Sequence, residues 1–203
     1  MALIFYYAPM SSASPTHWIL EELGIPYEKV KMDFASGDLK KPEFLRINPN
    51  GKVPALVHDG VPIFESVAIA IHLGETFGVE KKLFPPPGIQ RAQAIQWMVW
   101  CNASLGEAIS RHMHNTSERF PEELRNAKAG EIARADVENH LSILNQSLEG
   151  KGYLLGDDFS IVDAHVSSWL LYVRMVGFDL AKYPAMQAWS ARCSERPANK
   201  RVD

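Results

Sequence analysis

Apolar and polar positions change period several times in the first part of the chain and settle into one period in the rest. Leu3 to Tyr7 is an apolar, aromatic run of strand length, suited to a buried strand. Ser14-Pro15 predicts a helix start, with serine as the cap and proline at the first helical position, where its missing N–H costs nothing. Trp18, Ile19 and Leu23 give that helix an apolar face, and Gly24 ends it. Tyr27 to Met32 alternates as a second strand, and Lys40 to Asn48 reads as a short helix with Phe44, Leu45 and Ile47 inward. Ala55 to Val57 and Val61 to Phe64 flank Asp59-Gly60, a favoured hairpin turn, so these strands are expected to be antiparallel neighbours. Ser66 then caps a third helix through Val67, Ile69, Ala70, Ile71 and Leu73 to Gly78.

Beyond Leu83 the strand signals stop. Pro85-Pro86-Pro87 continues neither a helix nor a ladder and marks a stiff connector. Arg91 to about His114 reads as one long helix, and 121–148 contains another, with Val137, Leu141, Leu144 and Leu148 on one face. Ser160-Ile161-Val162-Asp163 has capping-box spacing, with aspartate in place of the usual glutamate. The helix after it puts Val162, Val166, Trp169, Leu170 and Val173 on one face, and Pro184 opens a last helix through Met186 and Trp189. The order βαβαββα followed by helices alone predicts two domains: an α/β unit at 1–78, a linker at 79–88 and an all-α unit at 89–203.

Composition narrows this picture by exclusion. With 46% hydrophobic and 22% charged residues among 203, the chain has material for real cores. A formal net charge of -3 argues against nucleic acid as a general partner. No apolar run is long enough to span a membrane, and the start lacks the basic region and cleavage site of a signal peptide. The two cysteines, Cys101 and Cys193, have no metal-ligand spacing and build no disulfide framework, so a reducing cytoplasmic setting without a metal is the expectation.

The sharpest motif is Asn48-Pro49-Asn50-Gly51-Lys52-Val53-Pro54-Ala55-Leu56, followed by Phe64-Glu65-Ser66-Val67-Ala68-Ile69. It resembles the N-P-x-G-x-V-P-x-L … [QE]-S-x-A-I pattern of the cytosolic glutathione transferases, with every fixed position filled, and Ser160 to Asp163 matches that family's capping box. The resemblance covers essentially the whole chain. It implies a thioredoxin-like first domain, a helical second domain and a two-fold homodimer. Glutathione is the implied co-substrate, and a small hydrophobic electrophile is the implied partner.

Glutathione offers two carboxylates, an ammonium group and a thiol. The resemblance gives its peptide backbone to the N–H and C=O of Val53, shaped by a cis bond to Pro54. Ser66, at a helix N-terminus, suits a carboxylate, and Glu65 suits the ammonium group. A plain capping serine and an ordinary first-turn acid are the simpler alternatives for these two. Lys40 and Lys52 are the candidates for the glycine-end carboxylate, with Lys41 beside them.

The thiol has a reference pKa near 8.5, and only the thiolate attacks well. A hydrogen-bond donor to the sulfur is therefore expected at the start of the first helix. Comparison with serine-type classes such as phi and zeta places Ser11 on the catalytic serine, with Ser12 near the cysteine of the bacterial beta class. Tyr7 falls near the tyrosine of the alpha, mu and pi classes but is also suited to packing at the strand end. The cysteine, tryptophan and arginine of the zeta loop are absent here, which argues against isomerase chemistry. The missing beta-class cysteine argues against mixed-disulfide reduction. Met10, Trp97, Trp100, Cys101 and His112 are the expected walls of the electrophile pocket, with Met113 and Phe120 beside them. Other readings are a glutathione-dependent peroxidase, lyase or dehalogenase, and a non-catalytic module binding glutathione or a protein.

Overall fold

The computed structural model describes residues 2–202. The chain divides into two compact units, one formed by 1–91 together with 194–203 and the other by 92–193.

In the first unit, β1 (Leu3–Tyr7), α1 (Ser14–Leu23), β2 (Glu28–Lys31), α2 (Pro42–Leu45), β3 (Ala55–His58), β4 (Val61–Phe64) and α3 (Ser66–Leu73) follow one another. The four-stranded sheet has the order β2-β1-β3-β4. β1 runs parallel to β2 and antiparallel to β3, and β3 to β4 is the antiparallel hairpin that Asp59-Gly60 predicts. Both turn residues have positive φ, 48° and 82°, the condition under which a two-residue loop matches strand twist.

The pleat of β1 explains its role at the centre. Leu3, Phe5 and Tyr7 are buried on one face, where the rings of Phe5 and Tyr7 stack at 5.5 Å and both meet His17 of α1. Tyr6 faces the other way and meets Phe44 of α2 at 5.7 Å. The expected 40–48 helix is smaller than its span. A 3-10 turn at Asp38–Lys40 precedes the single-turn α2, because Pro42 cannot donate to a continuing ladder.

Both predicted serine caps shift by one residue. Ser14 is itself the first helical residue of α1, after Ala13, which makes no side-chain capping bond. Ser66 likewise opens α3, with Glu65 in the cap position. The segment 194–202 packs against α1. Arg196 grips Glu22 with two hydrogen bonds of 2.6 and 2.7 Å, and Arg201 pairs with Glu21.

The second unit is helical. Its elements are α4 (Ile89–Trp100, which begins in the first unit), α5 (Glu107–Thr116), α6 (Ala127–Leu148), α7 (Ile161–Met175) and α8 (Pro184–Ser194), whose last residue rejoins the first unit. The helix predicted over 91–114 is continuous but widens into a π-helical stretch at Cys101–Gly106 between α4 and α5. There Asn102 meets Nε2 of His165 at 2.9 Å, and the Trp169 ring lies so close to Gly106 that a Cβ would come within 2.6 Å of it. The predicted stripe of α6 is fully realised, with Val137, Leu141, Leu144 and Leu148 all buried. Each is worth about 1.5–3 kcal/mol relative to exposure.

The capping box at the start of α7 is present in both directions. Asp163 also reaches further. Its carboxylate accepts hydrogen bonds from Ser160 N and Oγ, Leu154 N and Trp189 Nε1, each at 2.9 Å. Burial pushes its carboxyl above the ordinary value, against the pull of these donors. Among the described residues no helix is long and apolar enough to cross a membrane.

Candidate functional site

Sheet register brings three loops to one edge of the first unit. Tyr6 pairs with Ala55, and Ala55 pairs with Phe64. The chain leaving β1, the chain entering β3 and the chain leaving β4 therefore lie side by side. These are residues 8–13, 51–54 and 65–66, the segments that hold the predicted glutathione site.

The middle loop is the most constrained. Asn48 is buried and organises it: Nδ2 donates to Lys52 O at 2.6 Å, Oδ1 accepts from Asn50 N at 3.0 Å, and its carbonyl accepts from Gly51 N at 2.9 Å. Sequence reasoning gave Asn48 no role, although asparagine is a turn former through such side-chain bonds. Gly51 has φ +58°, and a Cβ there would sit 2.7 Å from Leu39 O and 3.0 Å from Lys40 Nζ. Gly51→Ala is expected to cost about 2 kcal/mol in urea denaturation, since left-handed backbone and a backbone clash are imposed together.

The Val53-Pro54 bond is cis, as the resemblance implies. The Val53 amide donates to no acceptor among the described residues, while its carbonyl accepts from Ser12 Oγ at 2.8 Å. The lysines separate by position. Lys40 lies beside Gly51, whereas Lys41 pairs with Asp38 at 2.6 Å on the rim of a cavity of about 260 Å³ floored by Tyr6, Met32 and Phe44.

Glu65 has φ 72° and ψ 119°, a conformation that residues with a side chain seldom adopt. Its carboxylate is exposed and makes no ion pair among the described residues. The unusual backbone turns the chain so that α3 begins at once at Ser66, whose neighbouring first-turn amides have no acceptor within the helix. Amides and helix dipole together favour an anion there.

In the first loop, Ser11 is half-buried and Ser12 exposed. Ser11 Oγ donates to Ala8 O at 2.6 Å and accepts from Ala13 N at 3.2 Å. Tyr7 is held in the core by its stacking on Phe5. Met10 is exposed with φ 50°.

Among the predicted pocket walls, Trp97 and Trp100 are half-buried and meet edge to face at 5.2 Å. Cys101 and His112 differ from expectation. Cys101 is fully buried, and burial pushes its thiol well above the ordinary value. His112 is buried, with Nδ1 3.1 Å from Gly130 O and its ring against Phe178 at 5.2 Å. Both are core residues because the inward face of the α4–α5 helix reaches them, so neither offers a surface to a substrate. Among the described residues no group of three His, Cys, Asp or Glu side chains could hold a metal ion.

The model of the glutathione S-transferase N-terminal domain matches residues 1–75, and that of the C-terminal domain matches 107–197. Together with the relatives that follow, this establishes that the chain belongs to the glutathione S-transferase family. It is 33% identical to the disulfide-bond oxidoreductase YfcG of Escherichia coli, over 95% of this chain and 90% of that protein. It is 31% identical to glutathione S-transferase GstB of the same organism, over 90% of this chain and 88% of the relative. Among solved structures, the glutathione transferase URE2P8 of Phanerochaete chrysosporium with oxidized glutathione superposes with a TM-score of 0.88 at 27% identity, covering 98% of this chain and 92% of that one. A Burkholderia graminis glutathione transferase with two glutathione molecules bound per subunit gives 0.85 at 29% identity, covering 99% and 87%.

Proposed function

We propose that the first unit binds glutathione and holds it as a thiolate for attack on a small hydrophobic electrophile. The observation that carries this reading is the convergence on one sheet edge of the N-terminus of α3 with a Val53 amide and a Glu65 carboxylate that have no partner among the described residues. In this reading Val53 pairs with the cysteinyl part of the tripeptide, and the α3 N-terminus at Ser66 takes the γ-glutamyl carboxylate. Glu65 takes the ammonium group, and Lys40 and Lys52 attract the glycine carboxylate. The loop of Ser11 and Ser12 faces the sulfur. Association as a two-fold dimer belongs to the same reading and is supported by the edge position of β4, which carries exposed Val61 and Phe64.

Calorimetry with millimolar glutathione tests the binding, and turnover of a generic aryl halide tests the transfer. Absence of heat at that concentration would sink the proposal. Glu65→Ala is expected to raise the glutathione Kd about tenfold or more, the cost of an ammonium group left without its carboxylate. An unchanged Kd would remove Glu65 from the site.

A second reading, glutathione-dependent disulfide exchange, is supported by the likeness to YfcG and to a structure holding oxidized glutathione. Both cysteines of this chain are fully buried, so the sulfur chemistry would pass between glutathione and the substrate. The thiolate of one glutathione attacks a disulfide sulfur, forms a mixed disulfide and expels the other sulfur as a thiolate. A second glutathione then attacks the mixed disulfide, yielding oxidized glutathione and the remaining thiolate. Reduction of a small disulfide by glutathione, run beside the aryl halide assay, separates the two: whichever substrate gives the higher kcat/KM identifies the chemistry.

A further inference from the structure

β2 ends the sheet order β2-β1-β3-β4, so one side of it pairs with β1 and the other has no strand beside it. Met32 N donates to Tyr7 O at 2.7 Å. Main-chain groups alternate between the two sides of a strand, so the N–H and C=O of Lys31 point away from β1. The cavity of about 260 Å³ floored by Tyr6, Met32 and Phe44 lies along the same stretch, and Val30, Lys31 and Met32 all line it. Consecutive side chains of an extended chain point to opposite faces. Three in a row can share one cavity only if its wall includes the main chain, so the cavity opens along the unpaired edge.

Size and charge define what fits. Sites for drug-sized ligands run about 300–1,000 Å³. This cavity is smaller and walled largely by apolar and aromatic groups, which suits a single aromatic side chain. Val30 stands opposite Tyr6 and shares its face with α2, while Lys31 stands opposite Tyr7 on the other face. Lys31 is exposed and makes no ion pair among the described residues. A strand that drops a ring into the cavity turns its next residue to the Lys31 face, where a carboxylate is favoured. On the cavity side Asp38 and Lys41 neutralise one another, and Glu43 disfavours a second acidic residue there.

We propose that β2 is a docking edge for an extended peptide segment of a partner protein, whose aromatic side chain fills the cavity and whose adjacent acidic residue faces Lys31. Main-chain pairing supplies affinity, and the cavity and the lysine select the sequence. A short edge strand rich in lysine only discourages indiscriminate pairing; the apolar cavity beside it gives one kind of strand a seat. The proposal is independent of the glutathione reading.

The probe is a fluorescein-labelled peptide of threonines and serines with a central phenylalanine between two aspartates. Fluorescence anisotropy is expected to give a Kd below about 1 mM, weakened about tenfold or more when alanine replaces that phenylalanine. Val30→Phe, which fills the cavity from the protein side, is expected to weaken binding by a similar factor. Lys31→Glu, an exposed change that leaves core packing alone, is expected to reverse the preference between this peptide and one with lysines in place of the aspartates. No binding by wild type, an unchanged preference in Lys31→Glu, or an unchanged Kd in a Val30→Phe protein with wild-type circular dichroism overturns the proposal. So does displacement of the peptide by glutathione. Binding of N-acetylphenylalaninamide as tight as that of the peptide also overturns it, because the cavity then serves a small molecule.

Discussion

Asp163→Ala is expected to lower the stability of the 92–193 unit by about 4 kcal/mol or more, a large share of the 5–15 kcal/mol that holds an ordinary domain together. Four donors converge on this carboxylate: the amides of Leu154 and Ser160, the Ser160 hydroxyl and the Trp189 indole. Asp163 and Trp189 are both fully buried, so water cannot replace the lost acceptor. Each orphaned donor costs about 1–3 kcal/mol, and the missing side chain leaves a void besides. Asp163→Asn is expected to recover less than half of the loss, because its amide group turns donors toward donors. Urea denaturation followed by circular dichroism checks both variants. A loss below about 1 kcal/mol in Asp163→Ala would show that the network does not anchor this unit.

Acid is expected to weaken the same unit through His165. Its imidazole is fully buried, and burial lowers its pKa to about 4. Nε2 is 2.9 Å from the Asn102 amide oxygen, while Nδ1 has no partner among the described residues. In the unfolded chain this histidine titrates near 6.5. Above that pH both states are neutral and its contribution is complete. As pH falls from about 6.5 to about 4 the unfolded state alone takes up the proton, and about 3 kcal/mol of stability is lost; below that the loss is constant. His72, also lowered by burial and by the neighbouring His58, acts in the same direction. His165→Gln removes the group, so its stability between pH 7 and 4 is expected to fall by about 3 kcal/mol less than that of wild type. Equal pH dependence in the two proteins would refute the assignment.

What the sequence revealed and what it hid follow from range. Periodicity found the α6 stripe because Val137 to Leu148 all answer to one helix face. Asp59-Gly60 found the hairpin because a two-residue turn is local chemistry. The Ser160–Asp163 box was legible for the same reason. The other partners of Asp163, nine and 26 residues away, were not. Ser14 and Ser66 were each placed one residue too early relative to their helices, since the chain's approach to a helix is fixed by tertiary contacts and propensity marks only the neighbourhood. Cys101 and His112 looked like pocket walls because a lone cysteine or histidine on a helix does not announce which face turns inward. The glutathione motif marked loops that the sheet register brings side by side, yet gave no sign of Asn48 as their organiser or of the positive φ of Glu65. Both depend on how those loops fold back on themselves.

The return of 194–203 to the first unit makes that unit discontinuous in sequence. Glu22 has a side chain only 5% exposed, bonded to Trp18 and gripped by an arginine 174 residues away. A protease that removes the chain beyond residue 194 would therefore act on a helix near the opposite end of the sequence. Glu22 would lose its counter-charge, in the helix that follows directly from the serine loop. The two halves named by sequence order are not the two halves that fail together.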